Sequence, residues 1–411
     1  MSKRAKLHYG WLVSFAGLLI MGAATGIYNA TLGVFVKPVC EDLGFLRGQF
    51  TLTGSISIII AVVLMPFFGS IFQKYGFRRI ALAGTVVIGL ALYGQSVSGK
   101  LWHFYLCSSL VGICLNTNGI MAVGILVNRW FVDKKGLATG IAFAGSGVLP
   151  AIVIPMANRF VELYGWRWTY RFVSSVSLAI LLPVILFVVK DKPEDAGLEP
   201  YRDKAARPEA AAIGGLTRGE ALRSPVFWLL AAVAMGVTLA QAGANIHTIS
   251  FMRDLGYSVG FASTIAAVFL ISNTAFKILI GMVLDRLGSK AALLFGVSCI
   301  LFPAFALFAK YRFVPFAYAI FLSLATAGAT ILNTFLTAEY FGRKDFSRIY
   351  SLVSMFSYMG MVISFPGLGF VYDVTGSYSY GWYIIMAIGT IVCVSLLAAE
   401  GINRKTAPVK S

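Results

Sequence analysis

Along the chain, apolar residues come in long continuous runs separated by short polar turns, and the pattern recurs from one end to the other. Each run is long enough to cross a hydrocarbon core of ~30 Å. In that core the backbone must satisfy its own hydrogen bonds, which helices do within a single segment. The pattern predicts twelve spans, at roughly 10–37, 51–73, 79–99, 102–127, 137–159, 169–189, 226–251, 260–284, 291–309, 314–337, 349–372 and 381–401. A polar stretch, 190–223, mixes Lys, Glu, Asp, Arg and Pro between the sixth and seventh spans, with room for a short surface helix. The expected fold class is therefore an all-α polytopic membrane protein of twelve transmembrane helices. Two pseudo-symmetric six-helix bundles, residues 1–189 and 224–411, would be joined by a cytosolic linker, 190–223. A β-barrel is excluded, because its strands alternate in short segments rather than run continuously apolar.

Composition agrees: of 411 residues, 58% are hydrophobic and only 12% charged, too few to solvate a soluble protein of this size. The formal charge of +17 is a topology signal. With the amino terminus inside, about 24 of the 34 Lys and Arg residues fall on the cytosolic side, including Lys3, Arg4, Lys6, Lys74, Arg78, Arg79, Arg129, Lys134 and Lys135. Both termini are expected in the cytosol and the protein in the cytoplasmic membrane; nucleic-acid binding is not expected. The five cysteines, Cys40, Cys107, Cys114, Cys299 and Cys393, have no paired spacing and indicate neither disulfides nor a metal site. The first apolar run is too long for a signal-peptide core and reads as the first span.

The halves repeat. The turn Gly69-Ser-Ile-Phe-Gln73-Lys74-Tyr-Gly76-Phe-Arg78-Arg79 matches Gly281-Met-Val-Leu-Asp285-Arg286-Leu-Gly288-Ser-Lys290, just over half the chain further on. Trp130-Phe131 matches Tyr340-Phe341, and Pro155 matches Pro366, at almost the same offset. Three anchors at nearly one offset imply a duplicated six-span unit.

Twelve spans, a central linker and paired Gly-x-x-x-Asp-Arg-x-Gly-type turns resemble the major facilitator superfamily over the whole chain. The resemblance implies that these turns are conformational latches, formed here by Gly69, Gly76 and Arg78 and by Gly281, Asp285, Arg286 and Gly288. The first copy has Gln73 where an Asp is usual, so that latch is expected to lose a charge-assisted contact. Finer features resemble the oxalate/formate antiporter and monocarboxylate transporter group. They are Tyr9-Gly10-Trp11, Arg129-Trp130-Phe131 with Lys134-Lys135-Gly136, Gly165-Trp166-Arg167, Phe227-Trp228 and Tyr372-Asp373-x-Thr375-Gly376.

The candidate chemistry centres on Lys277, the Lys or Arg placed deepest in a span. A charge there is expensive and usually faces a water-filled cavity, where it works on a substrate or ion. The group resembled carries a cation at this spacing, eleven residues before Gly288, and it binds the substrate carboxylate. Helical side chains lean toward the helix amino terminus, which directs this ammonium to the bilayer centre. The alternative, snorkelling to the headgroups, requires the opposite lean across about 12 Å of rise.

Asn273 lies one turn before Lys277 on the same face. Further amides and hydroxyls able to donate to a small carboxylate are Tyr28 and Asn29 in span one, Asn116 and Asn118 in span four, Gln241 and Asn245 in span seven, Asn333 in span ten and Tyr358 in span eleven. For each of these the competing use is interhelical hydrogen bonding. His247, in span seven, is a candidate proton carrier, and the favoured reading is a histidine near the outer mouth.

No Asp or Glu lies deep in a span, which disfavours proton symport, and span eleven lacks the second cation of the oxalate exchangers. One buried positive charge suits a monoanion. The expected function is secondary transport of a small organic anion, a monocarboxylate first, by alternating access, with Lys277 pairing with the carboxylate. The alternatives are a proton-coupled monocarboxylate symporter and an efflux carrier for amphipathic compounds. The expected partners are the organic anion, the lipid bilayer and, as a candidate, the proton; a monomer is expected, with no cofactor or metal. No nucleophile–base set, phosphate loop or metal cluster points to an enzyme.

Overall fold

The computed structural model describes residues 8–202, 215–311 and 313–406. Lys3, Arg4 and Lys6, and linker residues 203–214, lie outside the described residues. Ten helical stretches among the described residues are long and apolar enough to cross a bilayer. Two of them, Lys135–Val188 with 54 residues and Gly260–Leu307 with 48, are too long for one crossing at about 1.5 Å of rise per residue. The first turns at Gly165, whose φ of 79° is left-handed, and the second turns through a 3-10 segment, Gly288–Ala291. Each holds two spans, so the ten stretches carry twelve.

In chain order the spans are α1 (Tyr9–Leu43), α2 (Gln49–Tyr75), α3 (Phe77–Val97), α4 (Leu101–Trp130), α5 (135–164) and α6 (166–188). Then follow α7 (Pro225–Asp254), α8 (Val259–Leu287), α9 (Ala292–Leu307), α10 (Val314–Phe341), α11 (Phe346–Thr375) and α12 (Ser379–Thr406). Several helices outrun their apolar stretch. Beyond the expected end of span one, α1 continues to Leu43 because its last turns are amphipathic, with exposed Lys37 and Glu41 paired at 3.9 Å.

The contacts divide the chain into two compact units, Met1–Glu209 and Ala210–Ser411. In the first, α1 packs closely on α5: a Cβ at Gly145 would overlap the Leu18 carbonyl, and one at Gly22 would meet Leu149 and the Gly145 carbonyl. In the second, α7 packs in the same way on α11, with Gly360 against the Met235 carbonyl and Gly243 against Ser364. Ser364 Oγ donates to the Leu239 carbonyl at 2.6 Å and accepts from Gly243 N at 2.7 Å. Small residues at these crossings let backbones approach where lipid supplies no hydrophobic drive.

The repeat is visible in backbone conformation. Left-handed glycines recur in pairs, Gly44 with Gly256, Gly76 with Gly288, and Gly165 with Gly376, and the three pairs share the offset of the repeated turns to within one position. Two interruptions have no counterpart in the apolar pattern. Within α1, Met21–Gly26 is a π-helical segment that packs on α5, and α4 breaks at Gly119, an extended residue. Such irregularities inside a span are tolerated only where protein buries them, and they gather at functional sites.

Each described end of the linker is fastened within its own unit. Tyr201 N donates to the Trp130 carbonyl at 2.8 Å, and Leu216 N to the Phe341 carbonyl at 2.9 Å. Trp130 and Phe341 end α4 and α10, so the two fastenings occupy equivalent places in the repeat. A short helix, Arg218–Arg223, follows, capped by Thr217 and held by Arg218 N donating to Asp345 Oδ2 at 3.0 Å.

Candidate functional site

Lys277 is buried in α8, 6% exposed. Two hydrogen bonds set the register of α8 against α10. Asn273 Nδ2 donates to the Ser323 carbonyl at 3.2 Å, and Ser289 N to Glu339 Oε1 at 3.3 Å, with the same sequence separation in both. The helices therefore run in the same direction, and Lys277 stands level with Ala327. At that level α10 carries little side-chain volume, with Ala325, Ala327, Gly328 and Ala329 all buried. Thr326, in the same turn, donates through Oγ1 to Gln241 Oε1 at 3.0 Å and brings α7 to the same height. The geometry thus gathers Lys277, Asn273 and Gln241 on neighbouring helices of one unit.

The remaining candidates of this unit are spread along it. Asn333 Nδ2 donates to Ser357 Oγ at 2.8 Å, across α10 and α11, and Tyr358 lies half-buried one residue further on. Asn245 is exposed on α7. His247 is half-buried, with Nδ1 3.2 Å from the Tyr378 hydroxyl at the far end of α7 from the Arg218–Arg223 helix. It does not share a level with Lys277.

In the first unit, Tyr28 is buried and its hydroxyl lies 3.0 Å from Ser57 Oγ. Ser57 in turn donates to the Ser108 carbonyl at 2.8 Å, so α1, α2 and α4 are linked. Asn29 is exposed. Asn116 and Asn118 are fully buried on opposite sides of α4: Asn116 Nδ2 donates to the Ala61 carbonyl of α2 at 3.0 Å, and Asn118 Nδ2 to the Ala81 carbonyl of α3 at 3.3 Å. These are interhelical bonds, and the two amides are not brought together. Among the described residues, no group of three or more His, Cys, Asp or Glu stands close enough to hold a metal ion.

The two repeated turns are met by carboxylates that the linear pattern did not single out. Gly76 adopts φ 80° and Gly288 φ 63°, conformations that side chains other than glycine rarely adopt. After the first turn, Arg78 N donates to Asp191 Oδ1 at 2.6 Å, and the Arg78 guanidinium donates to the Leu186 carbonyl. A carboxylate arriving from beyond α6 therefore meets the backbone at the start of α3. After the second turn, Ser289 Oγ donates to Glu400 Oε2 at 2.6 Å, and Tyr340 reaches the same oxygen at 3.4 Å. Asp191 and Glu400 are separated by close to the repeat offset, and that spacing was the available signal.

Twelve spans in two repeated units, each closed by tight glycine crossings, define a polytopic membrane protein built on a duplicated six-span unit. The family model of the Major Facilitator Superfamily matches residues 15–258 and 242–410, and the chain belongs to that superfamily. It is similar to the oxalate:formate antiporter of Oxalobacter formigenes, 24% identical over 420 residues that span 97% of this chain and 93% of that protein. It is also similar to monocarboxylate transporter 1 of Mus musculus, 22% identical over 436 residues, spanning 96% of this chain and 85% of the mouse protein. The MFS-type transporter pynF of Aspergillus niger is 27% identical over 297 residues, 70% of this chain and 64% of its own length. Among solved structures, FucP in its outward conformation superposes with a TM-score of 0.71 at 14% identity, covering 95% of this chain and 98% of FucP. At that identity the likeness concerns the fold alone.

Proposed function

We propose that this chain carries a small organic monoanion, a monocarboxylate first, across the cytoplasmic membrane by alternating access, with Lys277 meeting the carboxylate. The observation that carries this reading is a lysine 6% exposed in the body of a span, level with the Gln241–Thr326 hydrogen bond and one turn from Asn273. A cation held in that setting is costly, and a bound carboxylate offsets the cost while the site is closed to water. Amide and hydroxyl donors on neighbouring helices suit the carboxylate oxygens that the ammonium leaves over. The names of two relatives, an oxalate:formate antiporter and a monocarboxylate transporter, lend the same support. Because the anion neutralises the carrier, exchange of one anion for another is favoured over return of the empty carrier. The Lys and Arg asymmetry supports a cytosolic location for both termini.

The test is uptake into proteoliposomes by the full-length chain, using a panel of labelled monocarboxylates, dicarboxylates and the uncharged amide of the best substrate. Uptake of monocarboxylates, accelerated by unlabelled monocarboxylate inside, with the amide excluded, is the expected result. Equal handling of acid and amide would overturn the reading. Strict dependence on a proton gradient would move it to symport, with His247 as the first residue to examine.

A further inference from the structure

Where α5 and α6 meet at Gly165, their facing side chains line an open groove of about 500 Å³. Phe160 and Tyr164 come from α5; Trp168, Arg171, Phe172 and Ser175 come from α6. Phe160 and Phe172 stack at 4.2 Å with planes 16° apart, and Tyr164 and Trp168, 60% and 59% exposed, stand beside them. The Arg171 guanidinium lies 4.5 Å from the Trp168 ring and 5.7 Å from that of Tyr93, and its Nε donates to Ser96 Oγ at 3.4 Å.

The acids at this end of the unit have basic partners already. Asp42 accepts from Trp166 Nε1 at 3.0 Å and lies 3.8 Å from Arg167, Glu162 is 3.3 Å from Arg159, and Glu41 is 3.9 Å from Lys37. Among the described residues, no carboxylate pairs with Arg171. It stands six residues past the Gly165 turn, about 9 Å along the helix, a depth that belongs to the headgroup boundary. Exposed Tyr and Trp mark the same boundary.

We propose that this groove holds an anionic phospholipid, with its phosphodiester against Arg171 and an acyl chain laid along Phe160, Phe172 and Ser175. A small soluble anion would find one cation among aromatic walls, which offer it nothing in exchange for its hydration. A lipid satisfies both parts, since its phosphate meets the guanidinium and its chain covers apolar surface. The surplus of basic residues at this end favours a lipid with net negative charge over a zwitterionic one.

Native mass spectrometry of the detergent-purified full-length protein tests this, titrating phosphatidylglycerol against phosphatidylcholine with the same acyl chains. The parent is expected to prefer phosphatidylglycerol by about fivefold to tenfold. Arg171→Gln brings the preference down to near unity. Arg159→Gln, a change to an exposed residue at the same end, leaves it intact. Ser175→Trp fills the groove while leaving Arg171 in place, and weakens both lipids; it decides the question should Arg171→Gln not be recovered folded. Inorganic phosphate at the lipid concentration leaves the lipid bound. A preference that survives Arg171→Gln, falls equally with Arg159→Gln or is competed away by phosphate, or binding of both lipids left at the parental level by Ser175→Trp, would overturn the assignment.

Discussion

A lysine in the body of a span is tolerated where its charge has something to do, and the consequence is testable at that one side chain. Ammonium is a compact point charge, whereas guanidinium grips a carboxylate as a fork. Lys277→Arg is therefore expected to keep transport and shift the apparent KM several-fold, read from initial uptake rates. A matching loss with Arg and with Ala would instead assign Lys277 a packing role. Asn273 acts beside it by donating to the Ser323 carbonyl and holding α8 in register with α10. Asn273→Ala should cost about 1 kcal/mol of stability and weaken substrate binding alongside it, measured by thermal unfolding with and without substrate. At this scale Lys277 was legible because a charge among apolar neighbours needs no structure to be noticed. Asp191 and Arg171 were not, because each looks like an ordinary end-of-span charge until folding brings it to the α3 amino terminus or into the α5–α6 groove.

At the scale of elements, the glycine crossings and the turn carboxylates carry the mechanical argument. Gly145→Val and Gly360→Val push side chains into the Leu18 and Met235 carbonyls. Each should cost about 1–3 kcal/mol or more, seen as a lower unfolding midpoint, while an exposed lipid-facing change such as Leu90→Val should not. Asp191→Asn keeps the shape but removes the charge at the start of α3. A cost of about 1 kcal/mol is expected, again from the unfolding midpoint.

The Arg218–Arg223 helix adds a pH test outside the membrane. Thr217 donates from N and Oγ1 to Glu220 Oε2 at 2.7 and 2.8 Å, and these bonds hold the carboxyl below its ordinary value. A group lowered in this way stabilises its helix above its ordinary value and loses that contribution as pH falls through the folded one. Amide exchange across 217–220, corrected for intrinsic rates, should therefore lose protection on acidification. Glu220→Gln should remove the pH dependence, and an unchanged profile in that variant would contradict the assignment. The helices themselves were legible as apolar runs between polar turns. The π-helical segment of α1 and the break at Gly119 were not, since both arise from packing against neighbours rather than from any local change of hydropathy.

For the whole molecule, the duplication seen in the paired turns reappears as pairs of left-handed glycines at the same separation. To within one position the same offset relates the two places where the linker ends are fastened, at Trp130 and Phe341. A repeat of this kind is legible in sequence because turns tolerate few residues, whereas spans drift freely among apolar types. The site was legible only in part. Lys277, Asn273 and Gln241 are drawn to one level by the α8–α10 register, while Asn116 and Asn118 face different helices, which neighbouring positions on a helix conceal. The orientation is checked by fluorescent-protein fusions to each terminus, which should both mature on the cytosolic side; one dark fusion would contradict it.

The most direct test of anion carriage through Lys277 compares the parent with Lys277→Ala at equal reconstitution, using the best monocarboxylate and measuring exchange into preloaded proteoliposomes. Loss of a charge-assisted contact of about 2 kcal/mol predicts roughly a thirtyfold fall in uptake at substrate concentrations below KM. Exchange by Lys277→Ala at the parental rate and affinity would contradict the account.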